Sequence, residues 1–291
     1  MKNWGRLMTA MVTPFDEGLE VDYDQAVELA KILIKEGTTA LVVSGTTGEA
    51  PTLTSDEKTQ LFKALKKSVD VPIIAGVGTN STAATIENAQ KALACGVDGL
   101  LVVVPYYNKP DQDCMYEHFK AVAEAVDGDI MLYNVPGRTG ANMLPETVAR
   151  LAEIKNIVAL KEASGNIVQF AEVVKRVPKD FLVYTGEDGT TLPSLSAGGY
   201  GVVSVASHVV GLKMKEMIDT FLSGNFEKAK DIHLQLLDIY NALFMSSNPI
   251  PVKAALNMRG VQVGGLRLPL NTVKPNVENE LSRCMQALNL I

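Results

Sequence analysis

Short apolar stretches and amphipathic stretches alternate along most of the chain, and this regular order restricts its fold more than any other feature. Eight apolar stretches are rich in Val, Ile and Leu and are bounded by glycine or polar residues, which is typical of buried strands. Strands that alternate with helices build a parallel sheet, and eight such units predict an α/β fold, the (β/α)8 TIM barrel. The predicted strands span residues 7–12, 40–43, 71–76, 99–104, 129–134, 157–161, 181–185 and 202–205.

Each predicted strand is followed by a helical pattern, from residues 24–35 after the first strand to residues 213–222 after the last. A doubly wound sheet is the alternative, but no glycine-rich dinucleotide motif follows the first strand. The rest of the chain carries further helical patterns, broken by a proline-rich stretch at residues 248–252. We therefore expect a (β/α)8 barrel in residues 1–224 and an added C-terminal helical region in residues 225–291.

Composition argues against several classes of protein. The 291 residues are 47% hydrophobic and carry a net charge of −6, which predicts no basic surface for nucleic acid. No apolar run reaches the length of a membrane span, and residues 1–6 lack the apolar core of a signal peptide, so we expect a cytoplasmic protein without a membrane partner. The cysteines and the histidines His118, His208 and His233 lack metal-ligand spacing, which predicts a site without metal or cofactor.

Lys161 ends the sixth predicted strand and is the strongest candidate for a catalytic residue. Burial at a strand end disfavours the charged form of a lysine and lowers its pKa. A lysine of this kind is a nucleophile that forms Schiff bases with carbonyl substrates. Taken alone, this pattern more often marks a structural lysine, which would extend to solvent or pair with Glu162.

Polar side chains follow four other predicted strands at the same end, where a TIM barrel forms its active site. Each stretch has an ordinary reading as a loop or a packing contact, but together they indicate a site for imine chemistry on a keto acid. The stretches are Gly45-Thr-Thr-Gly-Glu49 after strand two, Tyr106–Tyr107 after strand four, Tyr133 to Arg138 after strand five and Gly186-Glu-Asp188 after strand seven.

Three of these stretches resemble the signatures of the pyruvate-dependent class I aldolase superfamily. They are Gly45-Thr-Thr-Gly-Glu49, Tyr133-Asn-Val-Pro-Gly-Arg-Thr-Gly140 and Leu160-Lys-Glu-Ala-Ser-Gly165, and the likeness extends over nearly the whole chain. Thr46 beside Thr47, the two adjacent tyrosines and Arg138 favour the branch that condenses pyruvate with L-aspartate 4-semialdehyde. The resemblance implies a lyase of diaminopimelate and lysine biosynthesis.

The resemblance also implies roles for individual residues. Lys161 would form the imine with pyruvate, and Tyr133 would transfer protons, linked to solvent through Thr46 and Tyr107. Thr47 and the backbone at Val203 would hold pyruvate, Arg138 would bind the carboxylate of the aldehyde substrate, and Gly186 would shape the floor of the pocket. Since Tyr107 would come from a neighbouring subunit, the resemblance implies a homo-oligomer, a tetramer of two tight dimers.

Other functions remain open at this stage. N-acetylneuraminate lyase and the aldolases of 2-keto-3-deoxy sugar acids would use Lys161 and Tyr133 in the same way, without needing Arg138. A non-catalytic keto-acid-binding barrel is the alternative outside enzymes.

The chain departs from the lysine-inhibited members of the superfamily at the positions that match their allosteric pocket. Lys58 adds a cation there and Ala84 removes a carboxylate, so we expect weak or absent feedback inhibition by lysine. The other matching positions are Ala50, Pro51 and Ser55, which differ, and Asn80 and Tyr106, which are retained.

Overall fold

The computed structural model describes residues 4–291, and within them eight parallel strands close into a barrel in the order of the sequence. The predicted (β/α)8 fold is thereby confirmed. Our reading of the N-terminal stretch as lacking a signal peptide falls partly on residues 1–3, outside the described residues. The strands are β1 (Leu7–Ala10), β2 (Ala40–Val43), β3 (Ile73–Gly76), β4 (Gly99–Val103), β5 (Ile130–Asn134), β6 (Ile157–Glu162), β7 (Leu182–Thr185) and β8 (Gly201–Ser204).

Twelve α-helices lie in the described residues, and six of them follow a residue whose side chain caps the first turn. Asp22 and Asp111 accept a hydrogen bond from the backbone of the first turn that follows them, and Thr54 with Glu57 forms a capping box. The helices are α1 (Tyr23–Lys35), α2 (Ser55–Ser68), α3 (Thr82–Ala94), α4 (Gln112–Glu124), α5 (Pro136–Thr139), α6 (Pro145–Ala152), α7 (Ile167–Arg176), α8 (Thr191–Ser196), α9 (Ser207–Leu222), α10 (Phe226–Ala242), α11 (Ile250–Met258) and α12 (Pro275–Ala287).

The largest error in the predicted boundaries concerns α9, which begins at Ser207 rather than at residue 213. Its first five residues are all buried, so they show no alternation of apolar and polar faces from which a helix could be recognised. Helix α5 was also missed, because one turn is too short to produce a periodic pattern.

Side chains of alternate strand positions fill the barrel, while the remaining positions face the surrounding helices. Met8, Val42, Met131 and Tyr184 belong to the inner cluster, whereas residues such as Leu7 pack in the outer layer. The inner cluster has Tyr133 among its members. The interior is thus a packed core, and reactive groups can reach a substrate only at the strand ends.

The C-terminal helical region formed by α10, α11 and α12 is fastened to the barrel by buried or half-buried ion pairs. Lys253 in α11 lies 2.8 Å from Glu49, in the loop after β2, with both side chains almost fully buried. Arg259 pairs with Glu36 at 2.7 Å, and Arg267 pairs with Glu57 at 2.5 Å. The region therefore supports the loop that follows β2. The division at residue 224 stays a prediction.

No helix within residues 4–291 is long and apolar enough to cross a lipid bilayer.

Candidate active site

Lys161 lies at the carboxyl end of β6, between Tyr133 of β5 and Tyr184 of β7 in the strand register. Only 6% of its surface is exposed. Burial lowers the pKa of Lys161 to about 8; the carboxylate of Asp188 opposes this effect and the guanidinium of Arg138 adds to it. At pH 7 about a tenth of the side chain is therefore unprotonated, far more than for an ordinary lysine, and this free amine is the form that attacks a carbonyl.

Tyr133 is the neighbour of Lys161, whose Nζ lies 4.4 Å from the centre of the phenol ring. Burial raises the pKa of Tyr133 to about 12, although Arg138 and a hydrogen bond with the side chain of Thr46 act in the opposite direction. The phenol therefore stays protonated at neutral pH and can donate a proton next to the amine. The structure brings together Lys161, Tyr133 and Thr46, which the sequence predicted to act together.

The loop after β2 carries Thr47, whose side chain is buried. Its Oγ1 accepts a hydrogen bond of 2.8 Å from Nδ2 of Asn248. The carbonyl of Gly48 is held by the hydroxyl of Thr13 at 2.7 Å, while the backbone N–H groups of Thr47 and Gly48 donate to no acceptor within residues 4–291. Free donors in a fixed turn provide a site for a carboxylate.

Arg138 lies in the single turn of α5, directly after β5. Its backbone N–H is held by the carbonyl of Val135 at 2.9 Å, and the proline at the start of the turn fixes the backbone. The guanidinium forms no ion pair with any side chain that the structure describes. It is therefore available for a carboxylate of a ligand, which it can bind through two parallel hydrogen bonds.

Gly186 directly follows β7, and its backbone N–H donates to the carbonyl of Glu162 at 2.7 Å. A β-carbon at this position would lie 2.8 Å from Cε of Lys161 and 2.7 Å from Cβ of Ala163. The glycine is required because the aliphatic part of the lysine occupies that space. Val203 lies fully buried in β8, in the same inner cluster as Tyr133.

Tyr107 is the predicted site residue that lies apart from the others. Its side chain is 88% exposed. Its backbone has a φ of 70°, a value that residues other than glycine adopt infrequently. It does not line the cavity next to Tyr133, whereas its neighbour Tyr106 does. Within a single chain, Tyr107 is therefore not part of the site.

A cavity of about 410 Å³ opens at the carboxyl ends of the strands and is lined by Thr46, Tyr133 and Arg138. The charged side chains in its wall are Arg138 and Lys58, and no carboxylate of the described residues lines it. Burial lowers the pKa of Lys58. A cavity with two cations and hydroxyl donors suits a small organic anion.

The three histidines lie away from this cavity. His208 is fully buried: its Nε2 accepts a hydrogen bond from the backbone of Val12, its Nδ1 contacts the carbonyl of Val205, and burial lowers its pKa to about 4. His118 contacts the hydroxyl of Thr82, and burial lowers its pKa to about 4 as well. Neutral, buried imidazoles of this kind are structural.

Sequence reasoning missed several residues that support the site. Asn248 was placed only in a proline-rich break, and Asp188 only in a polar stretch, yet the buried carboxylate of Asp188 binds the hydroxyl of Ser204 at 2.5 Å and the backbone of Ala206 at 2.9 Å. Asp188 thereby fixes the segment after β7 to the end of β8. No local pattern indicates these contacts, because each joins segments that are distant in the sequence.

Comparisons with known proteins agree with this geometry. The sequence profile described as the dihydrodipicolinate synthetase family matches residues 3–288. The chain belongs to this family. A relative from Cyanothece sp. named 4-hydroxy-tetrahydrodipicolinate synthase is 52% identical over 294 residues, with both chains covered completely.

Solved structures of the family show the same fold. The enzyme of Cyanidioschyzon merolae, described with lysine bound, is 49% identical, has a TM-score of 0.97 and is matched over 99% of each chain. A protein described as the first monomeric dihydrodipicolinate synthase variant is 42% identical, with a TM-score of 0.96, over 98% of this chain and 97% of that one. This chain thus shares its fold with these two proteins over nearly their full lengths.

Proposed function

We propose that the protein is a 4-hydroxy-tetrahydrodipicolinate synthase, a lyase that condenses pyruvate with L-aspartate 4-semialdehyde. The observation that carries this proposal is a buried lysine with a pKa of about 8 beside a buried, protonated tyrosine, at the strand ends of a barrel that belongs to this family. The product, 4-hydroxy-tetrahydrodipicolinate, leads to diaminopimelate and lysine, and we place the reaction in the cytoplasm.

The first step is the attack of the Lys161 amine on the ketone carbon of pyruvate. A carbinolamine forms, and loss of water gives the imine that links Nζ of Lys161 to this carbon. The hydroxyl that leaves as water needs a proton. Tyr133 is the donor, because its phenol lies beside Nζ and its pKa of about 12 keeps it protonated.

Proton transfer continues from Tyr133 through Thr46, whose side chain lies close enough to the phenol to lower its pKa. The imine withdraws electrons from the methyl group of pyruvate. Tyr133, which has given its proton to the leaving water, can then take a methyl proton, and this step gives the enamine. Tyr107 of a neighbouring subunit would complete the route to solvent, since the Tyr107 of the same chain is exposed and outside the cavity.

Two carboxylates have to be held during the reaction. The hydroxyl and backbone N–H of Thr47 bind the carboxylate of pyruvate, assisted by the backbone at Val203, while the guanidinium of Arg138 binds the carboxylate of the aldehyde substrate. The support for this division is that the N–H of Thr47 and the guanidinium of Arg138 have no acceptor among the described residues. Gly186 leaves room for the aliphatic part of Lys161.

Carbon–carbon bond formation and ring closure complete the reaction. The enamine carbon attacks the aldehyde carbon of L-aspartate 4-semialdehyde, and the aldehyde oxygen takes a proton to become the 4-hydroxyl group. The amino group of that substrate then adds to the imine carbon and expels the amine of Lys161. This exchange closes the six-membered ring and regenerates the free enzyme.

We further propose that the protein acts as a homo-oligomer, a tetramer of two tight dimers. Support comes from two exposed large side chains, Tyr106, which lines the cavity, and Tyr107, which follows it and does not. Exposed aromatic residues of this size are typical of interface anchors. A dimer would bury them and would supply the missing tyrosine to the site.

The alternative enzymes of the superfamily are less well supported. An aldolase or lyase of sugar acids has to bind several hydroxyl groups beyond the ketone, whereas the cavity presents the unpaired guanidinium of Arg138 there. A keto-acid-binding protein without catalysis would not need a lysine whose pKa is lowered to about 8.

The decisive experiment follows turnover with pyruvate and L-aspartate 4-semialdehyde, coupled to the next reductase and recorded as loss of NADPH. Turnover that disappears in Lys161→Ala, together with a pyruvate adduct that borohydride traps on the wild-type protein only, is the expected result. Trapping without turnover would keep the imine mechanism and favour a sugar-acid substrate instead. The absence of both trapping and turnover would refute the proposal.

A further inference from the structure

Asn248 reaches the site from the C-terminal region and contacts Thr47, which lies 201 positions earlier in the chain. Its Nδ2 donates a hydrogen bond of 2.8 Å to Oγ1 of Thr47, and both side chains are buried. Asn248 belongs to the short turn before α11, so a second segment of the protein determines what surrounds the Thr47 hydroxyl.

The direction of this hydrogen bond restricts the Thr47 hydroxyl. A threonine hydroxyl has one hydrogen to donate and two lone pairs that accept. Because Nδ2 of Asn248 occupies a lone pair, the hydrogen has to point elsewhere, and it has no acceptor within residues 4–291. The hydroxyl hydrogen and the neighbouring backbone N–H of Thr47 are then two donors that await an acceptor from a ligand.

The contact is held on both sides by the fold. Five residues after Asn248, Lys253 forms the buried ion pair with Glu49, two residues after Thr47. The other carboxylate oxygen of Glu49 accepts the backbone N–H of Arg267 at 3.1 Å. The turn that carries Asn248 and the loop that carries Thr47 are therefore fixed relative to one another.

The amide of Asn248 contributes little else to the structure. Its Oδ1 is buried and accepts no hydrogen bond from the described residues, so the amide makes its side-chain hydrogen bond to Thr47 alone. A buried asparagine with a purely structural role normally satisfies both ends of its amide with backbone groups. The single bond to a hydroxyl of the site indicates a role in setting the polarity of that hydroxyl.

We propose that Asn248 is a positioning residue, which turns the hydroxyl hydrogen of Thr47 toward the bound carboxylate of the keto acid. This inference rests on the proposed function and deepens it, because it explains how the pyruvate subsite distinguishes a carboxylate from a neutral group. A subsite that offers only donors binds an ionised carboxylate and rejects an amide of the same shape, whose N–H₂ group needs an acceptor.

The test compares wild type with Asn248→Ala and Asn248→Asp. Alanine removes the donor, and we expect KM for pyruvate to rise about tenfold, the effect of one hydrogen bond, with kcat and KM for the aldehyde changed less than twofold. Aspartate has nearly the same shape but only accepts, so the Thr47 hydrogen turns toward it and a negative charge is added. KM for pyruvate should then rise about a hundredfold or more.

Pyruvamide, the neutral amide of pyruvate, provides a second measurement. The preference for pyruvate over pyruvamide would not change if Asn248 had only a structural role. In Asn248→Asp the lone pair of Thr47 faces the ligand and can accept an N–H group. The ratio of the rates of borohydride trapping on Lys161, with pyruvate and with pyruvamide, should therefore be at least tenfold lower in this variant than in wild type. An unchanged preference in this folded variant would overturn the proposal.

A double-mutant cycle with Thr47→Val separates positioning from general damage. In the Thr47→Val background, Asn248→Ala should have no further effect on KM for pyruvate, whereas additive effects would overturn the proposal. Thermal unfolding shows which variants are folded, and the cycle needs only the alanine variant if the aspartate variant fails to fold. A wild-type protein that traps no pyruvate would refute the proposed function itself, whereas trapping that the Asn248 variants leave unchanged would refute only the positioning role.

Discussion

Gly186 and Lys161 share one space: a β-carbon on Gly186 would lie 2.8 Å from Cε of Lys161. The glycine thus determines where the nucleophile can lie, although it contributes no reactive group. The same β-carbon would lie even closer to Cβ of Ala163, at 2.7 Å. A larger side chain at position 186 therefore cannot be accommodated by moving it toward β6.

Gly186→Ala should therefore displace the lysine, and we expect a loss in kcat/KM of at least a hundredfold with the fold retained. The measurement is the coupled assay, with circular dichroism to check the fold. Gly189→Ala is the matched control, since a β-carbon there meets nothing within 4 Å. Equal activity of the two variants would contradict the argument.

The rate of imine formation should depend on pH through Lys161. Burial lowers the pKa of Lys161 to about 8, so the reactive free amine accumulates as pH rises through that value. Below pH 8 the initial rate of borohydride trapping with pyruvate should rise about tenfold per pH unit, and above it the rate should level off. Tyr133 stays protonated over this range because its pKa is raised to about 12.

Substitution of Arg138 tests the electrostatic part of this argument. The guanidinium helps to lower the pKa of Lys161, so Arg138→Met should move the midpoint of the pH profile upward. Lys58→Met removes a cation that does not contribute to this shift and should leave the midpoint where it is. A midpoint that stays constant in Arg138→Met would show that Arg138 does not contribute to the pKa of Lys161.

Complementation between inactive subunits tests whether Tyr107 acts across an interface. Tyr107→Phe and Lys161→Ala should each be nearly inactive. In a mixed dimer, the Lys161 of the first variant meets the intact Tyr107 of the second and completes one of the two sites. Since random mixing after reversible dissociation makes about half of the dimers mixed, it should restore about a quarter of the wild-type activity. Without restored activity in proven mixed oligomers, Tyr107 would have to act within its own chain.

The buried pair of Lys253 and Glu49 should be important for stability. Glu49→Gln leaves the ammonium of Lys253 buried without its partner, and we expect a loss of about 3 kcal/mol in the free energy of unfolding. Thermal and urea unfolding would measure it. The exposed pair of Glu28 and Lys31 is the control, because Glu28→Gln should cause no measurable change.

The same substitution should also weaken pyruvate binding, because Glu49 fixes the loop that carries Thr47. KM for pyruvate is expected to rise while the reactivity of Lys161 stays intact. A variant that is destabilised but has a normal KM for pyruvate would show that the ion pair stabilises the fold without affecting pyruvate binding.

Lysine should inhibit the protein weakly or not at all. The ammonium of Lys58 lies in the wall of the cavity next to Ala50, Pro51 and Tyr106, where it would repel the amino groups of free lysine. The measurement is the coupled assay with added L-lysine, and half-inhibition at sub-millimolar concentration would refute the prediction. Lys58→His combined with Ala84→Glu should increase the sensitivity.

Local sequence patterns were sufficient to predict the strands, their order in the barrel and the candidate nucleophile. Apolar runs bounded by glycine predict strands, because strand formation here depends on residues that are close in the sequence. The order of the strands in the barrel follows their order in the chain. Lys161 could be singled out because it ends such a run, and the neighbouring motifs lie at the same strand ends. Where burial removes the alternation of faces, as at the start of α9, the pattern fails.

Tertiary structure alone decided the chemistry of these residues. The pKa of Lys161 depends on the depth of its burial and on Asp188 and Arg138, which lie in the segments that follow β7 and β5. The polarity of Thr47 depends on Asn248, 201 positions away. Sequence determines which reactive groups exist and at which end of the barrel they lie, but their distances, burial and hydrogen-bond directions arise only when remote segments pack together.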